Sequence, residues 1–171
     1  MAIWNDDLHS ALEPGVPTPR ARLDLVRALT DAGLPCGVFL APVLPGLTDG
    51  VDELDAALGA IASAGATGVT VIPLHLRPGA REWFMAWLGQ HHPQLVRRYE
   101  RLYEEGAYAP KWYQRRITRQ VHDLAEEYGI GPTGAGMPRR IRVPETAEAQ
   151  EMAEVQETSE HAPEPIQLTL L

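Results

Sequence analysis

Between Thr18 and Tyr128 the apolar positions change spacing repeatedly, from the three-and-four step of a helix to the unbroken run of a buried strand. Thr18 followed by Pro19 marks a helix start. Leu25, Ala28, Leu29 and Ala32 supply its apolar stripe, and Gly33 the left-handed stop. Pro35 to Ala41 then reads as a strand. Asp49 is placed to cap a second helix in which Leu54, Leu58 and Ile61 recur until Gly65, and Gly68-Val69-Thr70-Val71-Ile72-Pro73-Leu74 is the next strand. Strand, helix and strand joined by short links predict a βαβ unit with parallel strands. Met1 to Trp4 reads as the stub of an earlier strand.

Beyond His75-Leu76-Arg77-Pro78-Gly79 the pattern turns helical and stays so, with helices expected over Glu82 to Leu88, Pro93 to Tyr103 and Pro110 to Tyr128, the last stopped by Gly129. In that last helix Tyr113, Ile117, Val121, Leu124 and Tyr128 share one face, and Arg115, Arg116 and Arg119 point elsewhere. From residue 131 onward large apolar residues become too sparse to repay the cost of ordering. The expected organisation is an α/β domain with a helical extension over residues 1–130, then a disordered linker and acidic tail over residues 131–171.

Composition and charge alter this picture in two ways. The net charge of -8 is uneven: seven glutamates and no Lys or Arg follow Pro144, whereas Arg97, Arg98, Arg101, Lys111, Arg115, Arg116, Arg119, Arg139, Arg140 and Arg142 crowd the segment before it. Such a basic segment is either a set of solvated helix faces or a surface for a polyanion, nucleic acid included. The single cysteine, Cys36, lies in an apolar strand, which excludes a disulfide framework or a cysteine metal site within this chain and reads as an inert thiol. No basic, apolar leader opens the sequence and no segment approaches a membrane span, so a reducing, cytoplasmic setting without membrane contact is expected.

Three blocks in order carry a resemblance: Leu12-Glu13-Pro14-Gly15-Val16-Pro17-Thr18-Pro19-Arg20-Ala21-Arg22-Leu23, then Ala41-Pro42-Val43-Leu44-Pro45-Gly46-Leu47-Thr48-Asp49, then Pro73-Leu74-His75-Leu76-Arg77-Pro78-Gly79. Together with Ala109-Pro110-Lys111-Trp112-Tyr113-Gln114-Arg115-Arg116, they resemble the C-terminal half of radical S-adenosylmethionine (SAM) proteins of the spore photoproduct lyase-like, or DNA-repair-photolyase-like, branch. The resemblance runs from about Ile3 to Ile130. It implies an α/β fold of a definite kind, the C-terminal half of an incomplete (β/α)6 partial barrel, with SAM at the carboxyl ends of the strands.

In such proteins a Gly-x-Ile-x-Gly-x-x-Glu motif after the fifth strand lies against the SAM adenine. The resemblance therefore implies cofactor contacts from Pro42, Leu44, Gly46 and Asp49, with Pro42 standing where the family has its first glycine and Asp49 where it has glutamate. The departure at Asp49 makes helix capping its firmer assignment. Arg22 is a candidate for gripping the SAM carboxylate, against a plain helix-surface role, and Asp6 and Asp7 for its ribose. His75 and Arg77, two apart at a strand end, are candidates for a substrate site. No cluster motif of three cysteines is present, so the [4Fe-4S] cluster and reductive SAM cleavage belong to the full-length family and neither cofactor is expected to be fully bound by this chain. His9, His91, His92, His122 and His161 give no metal-ligand spacing.

Two functions stay open. One is the C-terminal portion of a radical SAM enzyme, inactive alone, from a truncated reading frame whose partner is the missing N-terminal half. The other is a non-catalytic interaction protein on a remnant barrel, either reading also predicting self-association through an exposed apolar sheet face. For the second, the final Gln167-Leu168-Thr169-Leu170-Leu171 resembles the peptides with which bacterial repair and replication proteins dock on the sliding clamp. Gln167 would bond at a pocket rim while Leu168, Leu170 and Leu171 fill an apolar cleft.

Overall fold

The computed structural model describes residues 6–132. The stub over residues 1–4, the Gln167 to Leu171 peptide and the expected linker and acidic tail from residue 133 lie outside them; the first two residues of that expected linker, Gly131 and Pro132, are instead paired as a short strand. In chain order the elements are α1 (Asp6–Leu12), α2 (Pro19–Asp31), β1 (Gly37–Val43), α3 (Val51–Ser63), β2 (Gly68–Pro73), α4 (Ala80–His91), a 3-10 turn (Pro93–Leu95), α5 (Val96–Leu102), α6 (Lys111–Glu127) and β3 (Gly131–Pro132).

Helix α2 begins where Thr18 accepts the Ala21 amide at 3.2 Å with Pro19 in the first turn, and it ends before Gly33 at φ 79°. Its buried face is Pro19, Leu23 and Val26, not the stripe expected from Leu25, which is 61% exposed. The two stripes have the same helical period, so spacing alone cannot choose between them.

Strands β1 and β2 pair in parallel with Val38 opposite Val69 and Leu40 opposite Val71, and α3 connects them. Helix α3 buries Leu54, Leu58 and Ile61, and α6 packs against both α3 and β2 through Tyr113, Ile117, Val121 and Ala125. Burying an aliphatic side chain of this size stabilises the fold by about 1.5–3 kcal/mol. The apolar stripe of α6 therefore makes it part of the core, and its outer face is left to the arginines.

The expected incomplete (β/α)6 barrel is overturned. The sheet is two strands with a two-residue third, in the order β1-β2-β3, and it does not close. A barrel needs successive strands paired on both edges at a constant tilt. Here the chain supplies helices after β2, and β3 meets β2 only at Gly68 and Val69. Phe39 and Ile72 remain 58% and 44% exposed. What holds of the expectation is the α/β class and the β1-α3-β2 unit.

Candidate functional site

The carboxyl end of β1 runs into a loop that folds back on itself. Leu44 donates its amide to the Thr48 hydroxyl at 2.8 Å, while its carbonyl accepts the Leu47 and Thr48 amides at 3.1 and 3.0 Å. The loop is thus satisfied internally, as a buried backbone must be. Gly46 turns it with φ 78°, and a Cβ there would lie 3.0 Å from Leu95 Cδ2 and 3.1 Å from Arg98, so glycine is favoured by the conformation and spares these two side chains a small shift.

Asp49 closes the loop and is 7% exposed. One carboxylate oxygen, Oδ1, accepts the Gly46 amide. The other accepts the Tyr113 hydroxyl at 3.0 Å, Arg98 at 3.1 Å and Arg116 at 2.8 Å. This differs from the expected helix cap: the N-cap of α3 is Gly50, without a side-chain bond, and Asp49 instead ties the loop to α5 and α6. Two half-exposed guanidinium groups on one buried carboxylate leave a net positive centre.

The phenols around this centre are held neutral. Burial, then the Asp49 charge and hydrogen bond, push the Tyr113 hydroxyl far above its ordinary value, against the opposing pull of Arg116. Burial does the same to Tyr99 and Tyr103. The Tyr99 hydroxyl is buried with no hydrogen-bond partner among the described residues. Arg116 also sits over the Tyr113 ring, 5.1 Å from its centroid.

A cleft of about 610 Å³ opens over this centre between α5 and α6, lined by Asp49, Arg98, Arg101, Leu102, Pro110, Trp112, Tyr113 and Arg116. On the β2 side, Leu74 donates to the Val43 carbonyl at 2.9 Å and accepts the Tyr103 hydroxyl at 2.8 Å. His75 stacks on Tyr108 with centroids 3.9 Å apart.

The candidate residues from the sequence fall into separate places. Pro42 lies in strand β1 while Leu44, Gly46 and Asp49 share the loop that follows, and Leu44 is 1% exposed and packed in the core. Arg22 pairs with Glu13 at 3.0 Å, within the α1–α2 segment. Asp6 and Asp7 lie exposed in the first turn of α1. His75 is half-buried against Tyr108 and Arg77 is exposed. Sequence reading missed the joint role of Arg98, Arg116 and Tyr113 around Asp49. The crowding of arginines was visible, but only packing brings positions 49, 98 and 116 together. Among the described residues no group of three or more His, Cys, Asp or Glu is arranged to hold a metal, and no helix is long and apolar enough to cross a membrane.

No family model matches the chain, and no solved structure matches it. It is 50% identical over 130 residues to uncharacterized proteins Rv2578c and MT2655 of Mycobacterium tuberculosis and Mb2609c of Mycobacterium bovis. The matched segment is 76% of this chain and 38% of each relative, so the chain spans well under half the length of the curated relatives it matches.

Proposed function

We propose that this chain is the C-terminal portion of a radical SAM enzyme of the spore photoproduct lyase-like type, working in the cytoplasm, with the cluster held by another part of the enzyme. One observation carries the reading: sequence blocks far apart in the chain meet at one end of the sheet. The block ending at Asp49 is bonded to the block around Tyr113 and Arg116, and its Val43 carbonyl accepts the Leu74 amide of the block Pro73 to Gly79. Ligands of α/β proteins sit at this end of the strands. That the relatives are more than twice as long as the matched segment leaves room in them for the three cluster cysteines.

The residues present do not fit the implied groups. Cys36 is a single thiol and cannot hold a [4Fe-4S] cluster. Leu44 is too deeply buried to face an adenine, and each Asp49 oxygen already accepts protein donors. No cleavage step is therefore assigned to these residues. Their part is to build the wall beside the site: Asp49 fixes the strand-end loop and sets the Arg98 and Arg116 guanidinium groups.

The test is anaerobic reconstitution of full-length Rv2578c beside the 171-residue chain. The relative is expected to take up one [4Fe-4S] cluster and cleave SAM under reduction, and the shorter chain to do neither. A relative that takes up no cluster would overturn the proposal.

A further inference from the structure

The cleft over Asp49 is one end of a longer basic band. Arg116 and Trp112 are shared between that cleft and a second one of about 430 Å³ that adds Arg115, Arg119, Gln120 and, at its edge, the single carboxylate Asp123. A third, of about 510 Å³, continues past Arg115 and Arg119 to Lys111 and His122. The band runs along the outer face of α6 and across to Arg98 and Arg101 on α5. It lies on a segment, residues 6–132, that carries sixteen acidic side chains against twelve Lys and Arg, so it is a local concentration of charge and not a reflection of composition.

Ion pairing within the fold accounts for Arg98 and Arg116 but not for the rest of this band. Lys111, Arg115 and Arg119 follow one another at intervals of four, a spacing at which like charges weaken a helix. Among the described residues no carboxylate makes an ion pair with them or with Arg101, whereas Arg98 and Arg116 are pinned by Asp49. Each pinned guanidinium uses one nitrogen on Asp49, leaving further donors in the same planar fork. In the middle of these cations Trp112 stands 57% exposed, edge-on to Tyr113.

We propose that this band binds single-stranded nucleic acid, with a base stacked on Trp112 and consecutive phosphates on Arg98, Arg101, Arg116, Arg115 and Arg119. Spaced cations track a backbone of repeated phosphates, and Lys111 to Arg119 alone extends along about 12 Å of helix. An exposed indole between arginines favours a strand with unpaired bases, because stacking on an aromatic needs a base face that a duplex hides. This inference stands on the charge and exposure of α5 and α6 and does not depend on the radical SAM reading.

The experiment is fluorescence anisotropy of a labelled mixed-sequence single-stranded oligonucleotide titrated with the full 171-residue chain. Binding is expected at about 50 mM salt and should weaken about a hundredfold by 200 mM, as for roughly five neutralised phosphates. Trp112→Ala should lower affinity about fivefold or more with the salt slope unchanged, and Arg115→Gln with Arg119→Gln should flatten the slope by about 1.4. All three positions are exposed, and thermal melts of the variants check that they fold. Absence of binding at low salt overturns the proposal. So does a duplex bound as tightly as the single strand, or displacement by polyglutamate together with indifference to Trp112→Ala, which would mark a surface for acidic protein.

Discussion

Two sets of arginines lie within a few helical turns of each other and obey different rules. Arg98 and Arg116 are half-exposed but end on a buried carboxylate that also holds a tyrosine and a loop amide. Arg101, Arg115 and Arg119 make no ion pair with a carboxylate among the described residues. The first set is fixed by what the fold needs at Asp49. The second is held by no ion pair within the fold, which leaves its charge available to a partner of the kind proposed above.

The largest effect should come from the phenols behind the first set. Tyr99, Tyr103 and Tyr113 are all raised above the ordinary tyrosine value, first of all by burial. The neutral form is favoured in the folded state, so stability is fully present below about pH 10 and is lost as pH rises past it, when the unfolded chain sheds protons that the folded one keeps. Three such groups give a loss of about 4 kcal/mol per pH unit. Phenolate absorbance followed with circular dichroism should show ionisation of these residues coinciding with unfolding; ionisation well before unfolding would break the contrast.

Next in size is Asp49→Ala. Removing a buried carboxylate strips the Gly46 amide and the Tyr113 hydroxyl of their acceptor and separates α5 from the β1 loop. Because both arginines can turn to water, the expected cost is about 2–4 kcal/mol, at or below the usual range for breaking a buried pair. Denaturant unfolding measures it. Gly46→Ala should follow at about 1–2 kcal/mol, from the positive φ and the contact with Leu95.

Much of the fold could be read in the sequence, because period and punctuation agree over β1, α3, β2 and α6. Gly65 and Gly129 stop α3 and α6, and Thr18 and Gly33 bound α2, by backbone chemistry that is local. The face of α2 was not legible, since Leu23 and Val26 compete with Leu25 and Leu29 at the same spacing. Asp49 misled for a related reason. A carboxylate just before a helix is a cap by local rules, and only the distant Arg98, Tyr113 and Arg116 draw it away. The barrel expectation failed because resemblance extended a pattern of strands beyond β1, β2 and the two-residue β3 found among the described residues.

The smallest expected effect completes the comparison. Arg119→Gln should change stability by less than about 0.5 kcal/mol, since it relieves a like-charge spacing with Arg115 and gives up an opposite-charge one with Asp123. A thermal melt that falls by several degrees would place Arg119 with the first set.

The attachment of α2 bears on how the molecule breathes. Its last turn is tied to the body where the Thr30 hydroxyl reaches the Ala64 carbonyl at 3.2 Å, at the end of α3. Its inner face buries only Pro19, Leu23 and Val26, whereas α3 and α6 enclose the central residues on several sides. The α1–α2 segment should therefore open as a unit without the rest, so that in deuterated water its amides exchange sooner than those of α3 and β1. Thr30→Val, which keeps the shape and deletes the tether, should hasten exchange across α2 while leaving the slowest amides of α3 untouched.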